Sequence, residues 1–202
     1  MRRLLVAAAA VLATVTLFAS TASATVMTYN DLDRMVEISD VIVHGTVVEQ
    51  HTYMDKEQER VVTDTTLEVE RNFYGASSQE ITFQQWGGEY EGEIHRIPGD
   101  AQFQEGEEVI LFLHEGDGVL APSALGQSKY QVRELGDDGK IASRDFSDIE
   151  LLIEQPDGSK RMFEMPEETR SFESLTAELE TLVAGIKQTE PQLPSGGDET
   201  HE

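Results

Sequence analysis

The chain has no cysteine at all. No disulfide can staple it, so burial of apolar surface must hold the fold together. The same absence removes thiol nucleophiles, cysteine-based zinc sites and thiol redox chemistry. Basic residues are also scarce, 15 Lys and Arg against 39 Asp and Glu, for a formal charge of −24. Binding the phosphate backbone depends on Lys and Arg, so nucleic acid is excluded as a partner class, and an anionic membrane surface is equally disfavoured. There is one tryptophan among 202 residues. After the first two dozen residues no long apolar run occurs, which leaves no candidate membrane helix.

That first segment has its own signature. Arg2-Arg3 form a positive start, Leu4–Ala19 an apolar stretch, and Ala22-Ser23-Ala24 a small-residue cleavage pattern. Together they predict a secretory signal peptide over residues 1–24, and export to the periplasm or the medium. Cleavage would remove both arginines and take the formal charge from −24 to −26. Residues 25–188 then form a single domain. Thr189–Glu202, with two Pro, two Gly and four acidic side chains, predicts a disordered acidic tail.

The domain is organised around Ser39–Val48, half of which is Val or Ile. Branched side chains favour extended backbone. Val41-Ile42-Val43 lacks strict alternation, which predicts a strand covered on both faces. Gly45 interrupts it and marks a bulge, a bend or the close approach of another backbone. Before it, Met27–Ile38 predicts a short helix with Thr28 and Asp31 at capping-box spacing and Leu32, Met35 and Val36 on one face. The first strand runs on to about Tyr53. Arg60–Arg71 alternates, with Val61, Thr63, Thr65, Leu67 and Val69 on one side. Glu80–Gln85 adds a third strand, and Glu107–His114, strongly apolar, predicts the central one.

Turn signals at Gly116–Gly118 and Gly136–Gly139, and a run from Tyr130 to Val132, predict further strands. Asp148–Glu154 and Lys160–Met165 flank Gln155-Pro156-Asp157-Gly158 as a hairpin, with a short helix at Asp148–Ile153 as the alternative. Phe172–Lys187 carries an apolar stripe, Leu175, Leu179, Leu182, Val183 and Ile186, behind a Ser171 cap. The fold class expected is mainly β: a closed or partly open, OB-like antiparallel barrel with a short N-terminal helix and a C-terminal amphipathic helix.

Several short motifs follow one another in order: Ser39-Asp40-Val41-Ile42-Val43-His44-Gly45-Thr46-Val47, then Val69-Glu70-Arg71-Asn72-Phe73-Tyr74-Gly75, Ile81-Thr82-Phe83, Gly87-Gly88, Phe103-x-x-Gly106 into Val109–Leu113, and Gly126-Gln127-Ser128-Lys129-Tyr130-Gln131-Val132. Over about Tyr29–Val132 this order resembles a family of uncharacterised exported bacterial β-barrel proteins. More distantly it resembles the netrin-like, OB-type barrel of tissue inhibitors of metalloproteinases. The resemblance implies the scaffold. Such inhibitors chelate zinc through an N-terminal cysteine, which this chain lacks.

No catalytic signature is legible. The five histidines, His44, His51, His95, His114 and His201, show no metal-pair spacing, although strand pairing could join His44 to His114. There is no Gly-x-Ser-x-Gly elbow, phosphate loop or dinucleotide fingerprint. The acidic turns at Asp117 and Asp137-Asp138 lack the calcium-loop pattern. The expectation is therefore a non-enzymatic binding module without metal or cofactor, whose partner is a protein, glycan or small ligand outside the cytoplasm. Its surface is placed on the Trp86–Arg96 loop, which opens the glycine-rich irregular stretch Gly87–Gln104, with Trp86, Tyr90, His95 and Arg96 as the candidate contact residues. The alternatives are an inhibitor or accessory of an exported protease, using Thr25–Tyr29 or that loop, and a hydrolase relying on carboxylates or a metal.

Overall fold

The structure, a computed structural model, describes residues 25–76, 78–136, 139–163 and 165–189. The predicted signal segment and residues 190–202 of the predicted tail lie outside these. In chain order the elements are β1 (Thr25–Thr28), α1 (Leu32–Glu37), β2 (Val41–Asp55), β3 (Arg60–Tyr74), β4 (Glu80–Trp86), β5 (Gly88–Tyr90), β6 (Glu93–His95), β7 (Glu108–Gly116), β8 (Val119–Pro122), a 3-10 turn (Leu125–Ser128), β9 (Lys129–Glu134), β10 (Lys140–Asp145), β11 (Ile149–Glu154), β12 (Lys160–Phe163), β13 (Glu167–Ser171) and α2 (Phe172–Thr189).

An antiparallel sheet ordered β13-β10-β9-β7-β2-β3-β4, with β8 paired to β7, curls into a half-barrel. β2 and β7 lie at its centre, as their unalternating apolar runs require. Ile110 and Phe112 point to one face with Ile42, packing on Leu32 and Met35 of α1 and on Leu175 and Leu179 of α2. Val109, Leu111 and Leu113 point to the other with Val43 and Val47, against Leu67, Phe83 and Phe103. Each fully buried side chain of this size contributes about 1.5–3 kcal/mol, which lets the chain dispense with disulfides.

Gly45 stands at the irregularity that lets β2 coil. The β2–β3 register shifts between His44 and Gly45. A Cβ at residue 45 would overlap the Glu68 carbonyl oxygen. The bulge and the close backbone approach expected as alternatives therefore coincide at this residue.

The N-terminal helix is shorter than its periodicity suggests. Asp31, not Thr28, is its N-cap, accepting from Arg34 N at 2.9 Å. Thr25–Thr28 instead pairs in parallel with Ile149–Leu152, a ladder no local pattern announces. Leu32, Met35 and Val36 are buried on one face as expected. The hairpin at residues 149–163 forms, so the helical alternative at Asp148–Ile153 is not adopted. Ser171 Oγ accepts from Ser174 N at 3.3 Å and caps α2. The Gly87–Gln104 stretch is not wholly irregular, because β5 and β6 pair within it. No helix among the described residues is long and apolar enough to cross a membrane.

Candidate functional site

The β5–β6 hairpin leaves the end of β4 and lies across the outer ends of β2 and β3. Gly88, at φ +132°, is the contact point, and a Cβ there would meet Thr52 and Thr63. Those two threonine hydroxyls bond each other at 2.8 Å, and Thr63 donates to the Gly87 carbonyl at 2.7 Å. Beyond the hairpin the chain is pinned again. Ala101 and Phe103 are buried in the curl of the sheet, with Phe103 edge-on to Phe83 at 5.0 Å. Gln85 Nε2 donates to the Ala101 carbonyl at 3.0 Å. The segment 96–102 is thus a wall held from both ends.

A concavity opens on each side of the wall. The smaller, about 230 Å³, is lined by Trp86, Ile94, His95, Arg96 and Asp100, with Gln50, Gln85 and Gln102 supplying amides. The larger, about 630 Å³, runs from Arg96 and Asp100 to β9, β10 and the turn before β11. Arg96, Asp100, Ala101 and Gln102 belong to both. Trp86 is 58% exposed and Ile94 78%. Trp86 is therefore not packed beneath the loop, and the Arg60 guanidinium stacks 4.1 Å from its ring centroid.

Three of the four residues expected from sequence, Trp86, His95 and Arg96, line the smaller concavity. Tyr90 lies by the hairpin turn and lines neither. Sequence reasoning missed Asp100, Glu107, Lys129, Arg133 and Asp148. Lys129 sits in the Gly126–Val132 motif, but nothing local shows that β9 faces the Gly87–Gln104 segment.

Charges in the larger cleft are mostly paired. Arg96 bonds Asp148, Arg133 bonds Glu167 at 3.2 Å, and Lys129 bonds Glu107 at 2.6 Å. Burial holds the Lys129 ammonium below its ordinary pKa despite Glu107. Asp100 differs from its neighbours. Its carboxylate accepts from Ala101 N at 2.9 Å but forms no ion pair among the described residues. Burial pushes its carboxyl up to about 6, against hydrogen bonds from Gln85 and Ala101.

Among the described residues one histidine–carboxylate group could hold a metal: His44, Glu70 and Glu108, on the helix side of the sheet. His44 Nε2 is 2.7 Å from Glu108 and its Nδ1 is 3.7 Å from Glu70. Lys140 Nζ already donates to both Glu108 oxygens, at 2.7 and 2.9 Å. The cluster thus carries its own cation. Burial alone would raise the Glu108 carboxyl, but the bonds from Lys140 and His44 outweigh it and hold the group below its ordinary value. His44 and His114 do not meet, because His44 pairs with Ile110 and His114 with Ala121.

Arg144 is another centre that sequence gave no sign of. Its side chain is 0% exposed, ringed by Tyr29, Tyr130 and Phe146 at 4.7–5.5 Å. It donates to Glu168 and to the Asn30 and Gln127 carbonyls. This cage ties β1, the 3-10 turn, β10 and β13 together, and it opens on neither concavity.

No family model, no curated protein and no solved structure matches the chain.

Proposed function

We propose that the chain is an exported, non-enzymatic binding module whose ligand surface is the wall at residues 96–102 with the two concavities beside it. The observation that carries this reading is the anchoring of that segment. It is fixed by Phe103 and Ala101 in the core, and the hairpin before it by Gly88 on the sheet, while Trp86 at the end of β4 and Ile94 in β6 stand exposed beside it. Exposed aromatic and aliphatic side chains on a rigid support bind at low ordering cost. The OB-type description of the scaffold and the likeness to netrin-like barrels belong to the same proposal. They rest on the coiled β2–β3–β4 meander and on β7 beside β2.

The protease-inhibitor reading is weakened in its N-terminal form. Thr25–Thr28 is committed to a ladder with β11, and Thr25 Oγ1 donates to the Pro98 carbonyl at 2.6 Å. Entry of that segment into a foreign cleft would break those bonds. The test is affinity capture from secreted and envelope extract on the wild-type chain and on the Trp86→Ala/Ile94→Ala variant in parallel. Both side chains are exposed, so the variant should fold. A stoichiometric partner retained by wild type and lost by the variant supports the reading. A partner held equally by both moves the surface elsewhere.

A further inference from the structure

The smaller concavity has a size and a charge that define what fits it. At about 230 Å³ it falls below the ~300–1,000 Å³ of pockets that enclose whole small molecules. One long side chain is the better match. Its apolar wall is Trp86 and Ile94, and its polar wall is Gln50, Gln85 and Gln102. Glu89 and Asp100 supply negative charge. Arg96, on the same wall, is already bonded to Asp148. Across the wall, Lys129 and Arg133 are bonded to Glu107 and Glu167.

Asp100 is left as a partly buried carboxylate with no cation. Burying a charge without a counter-ion is costly, and a carboxylate so placed in a cleft is a candidate for binding a ligand. A half-apolar trough that includes such a carboxylate in its lining matches a side chain with an apolar stem and a cationic head. Granting the ligand surface proposed above, on which this step rests, we propose that Asp100 receives the cationic head of a Lys or Arg side chain from a peptide or protein partner, with Trp86 and Ile94 packing its methylene stem. The strongly acidic surface would draw such a partner in.

Acetyl-arginine methylamide and acetyl-lysine methylamide test this at physiological ionic strength, with acetyl-citrulline methylamide as the neutral isostere. Binding is followed by backbone amide shifts in the full chain. A lone side chain should bind with Kd on the order of 1 mM, within reach of such a titration. The expected result is a saturable shift of residues 99–102 and of the Trp86 indole with a cationic probe and not with citrulline. Asp100→Asn should weaken it by about tenfold or more. Asp117→Asn, at an exposed turn, should leave it unchanged. Asp100→Ser serves if the amide variant misfolds. Equal shifts with citrulline would overturn the cation assignment while leaving the ligand surface standing. Shifts that survive in Asp100→Asn, or spread over the acidic surface, would overturn it too, as would no shift with either cation. The capture experiment judges the surface independently.

Discussion

Removing the charge of Glu168 should be among the most damaging single changes in this domain. Its carboxylate is the counter-ion of Arg144, whose side chain is fully inaccessible, while Glu168 itself is 19% exposed. Glu168→Gln keeps the shape and one acceptor oxygen, but removes the charge and one of the two oxygens that accept from Arg144, Tyr29 and Tyr130. Breaking a buried ion pair by removing one partner costs about 3–5 kcal/mol. Partial exposure of Glu168 and retained bonds from Arg144 to Asn30 and Gln127 place the expectation at or just below the bottom of that range, about 2–3 kcal/mol. With a urea slope of about 2 kcal/mol per molar, the midpoint should fall by roughly 1–1.5 M. Arg144→Met/Glu168→Gln removes the stranded charge, and the double-mutant cycle should show a coupling of at least about 1 kcal/mol. Urea unfolding followed by far-UV circular dichroism reads both quantities. A Glu168→Gln cost below about 0.5 kcal/mol, or additive effects of the two changes, would refute the claim that this pair holds β10 to β13.

Other expectations follow from single residues. Asp100 binds its proton more tightly folded, at about 6 against an ordinary 3.8, so its contribution to stability is full below pH ~4 and is lost as pH rises through 6. Asp100→Asn should therefore raise the melting temperature at pH 7.5, by the equivalent of about 1–3 kcal/mol, and leave it unchanged near pH 3.5; a pH-independent difference would contradict the assignment. Gly45→Ala drives a methyl into the Glu68 carbonyl and should cost about 2–3 kcal/mol, a fall of several degrees in melting temperature; an unchanged melt would show that the bulge is not tight. Trp86, the sole tryptophan and 58% exposed, should emit at the red wavelengths of hydrated indole and be readily quenched by acrylamide, whereas blue-shifted, protected emission would mean that the hairpin covers it.

The elements legible in sequence were those whose periodicity is local. Val41–Val43 and Val109–Leu113 lack alternation, and both occupy the doubly covered centre. The stripe of α2 faces the core, and Gly45 marks a bulge. Trp86, His95 and Arg96 were singled out because glycine and aromatic residues mark their loop, and these three of the four named residues line one concavity. Tyr90 does not, because it pairs with Glu93 at the turn end of the hairpin, beyond the residues that line the concavity.

What sequence could not decide were contacts between distant residues. β1 pairs in parallel with a strand more than a hundred residues away, and parallel partners leave no turn signal between them. Arg144 reads as an ordinary surface cation until Tyr29, Tyr130, Phe146 and Glu168 close around it. Lys129 and Asp148 reach the Arg96 loop only because the sheet curls. Composition alone determined that this acidic, cysteine-free chain must be held by its apolar core, because that depends on side-chain chemistry and not on arrangement. Whether a given charge is paired or left alone is a property of distance, and only the tertiary structure marked Asp100 as a partly buried carboxylate with no ion pair among the described residues.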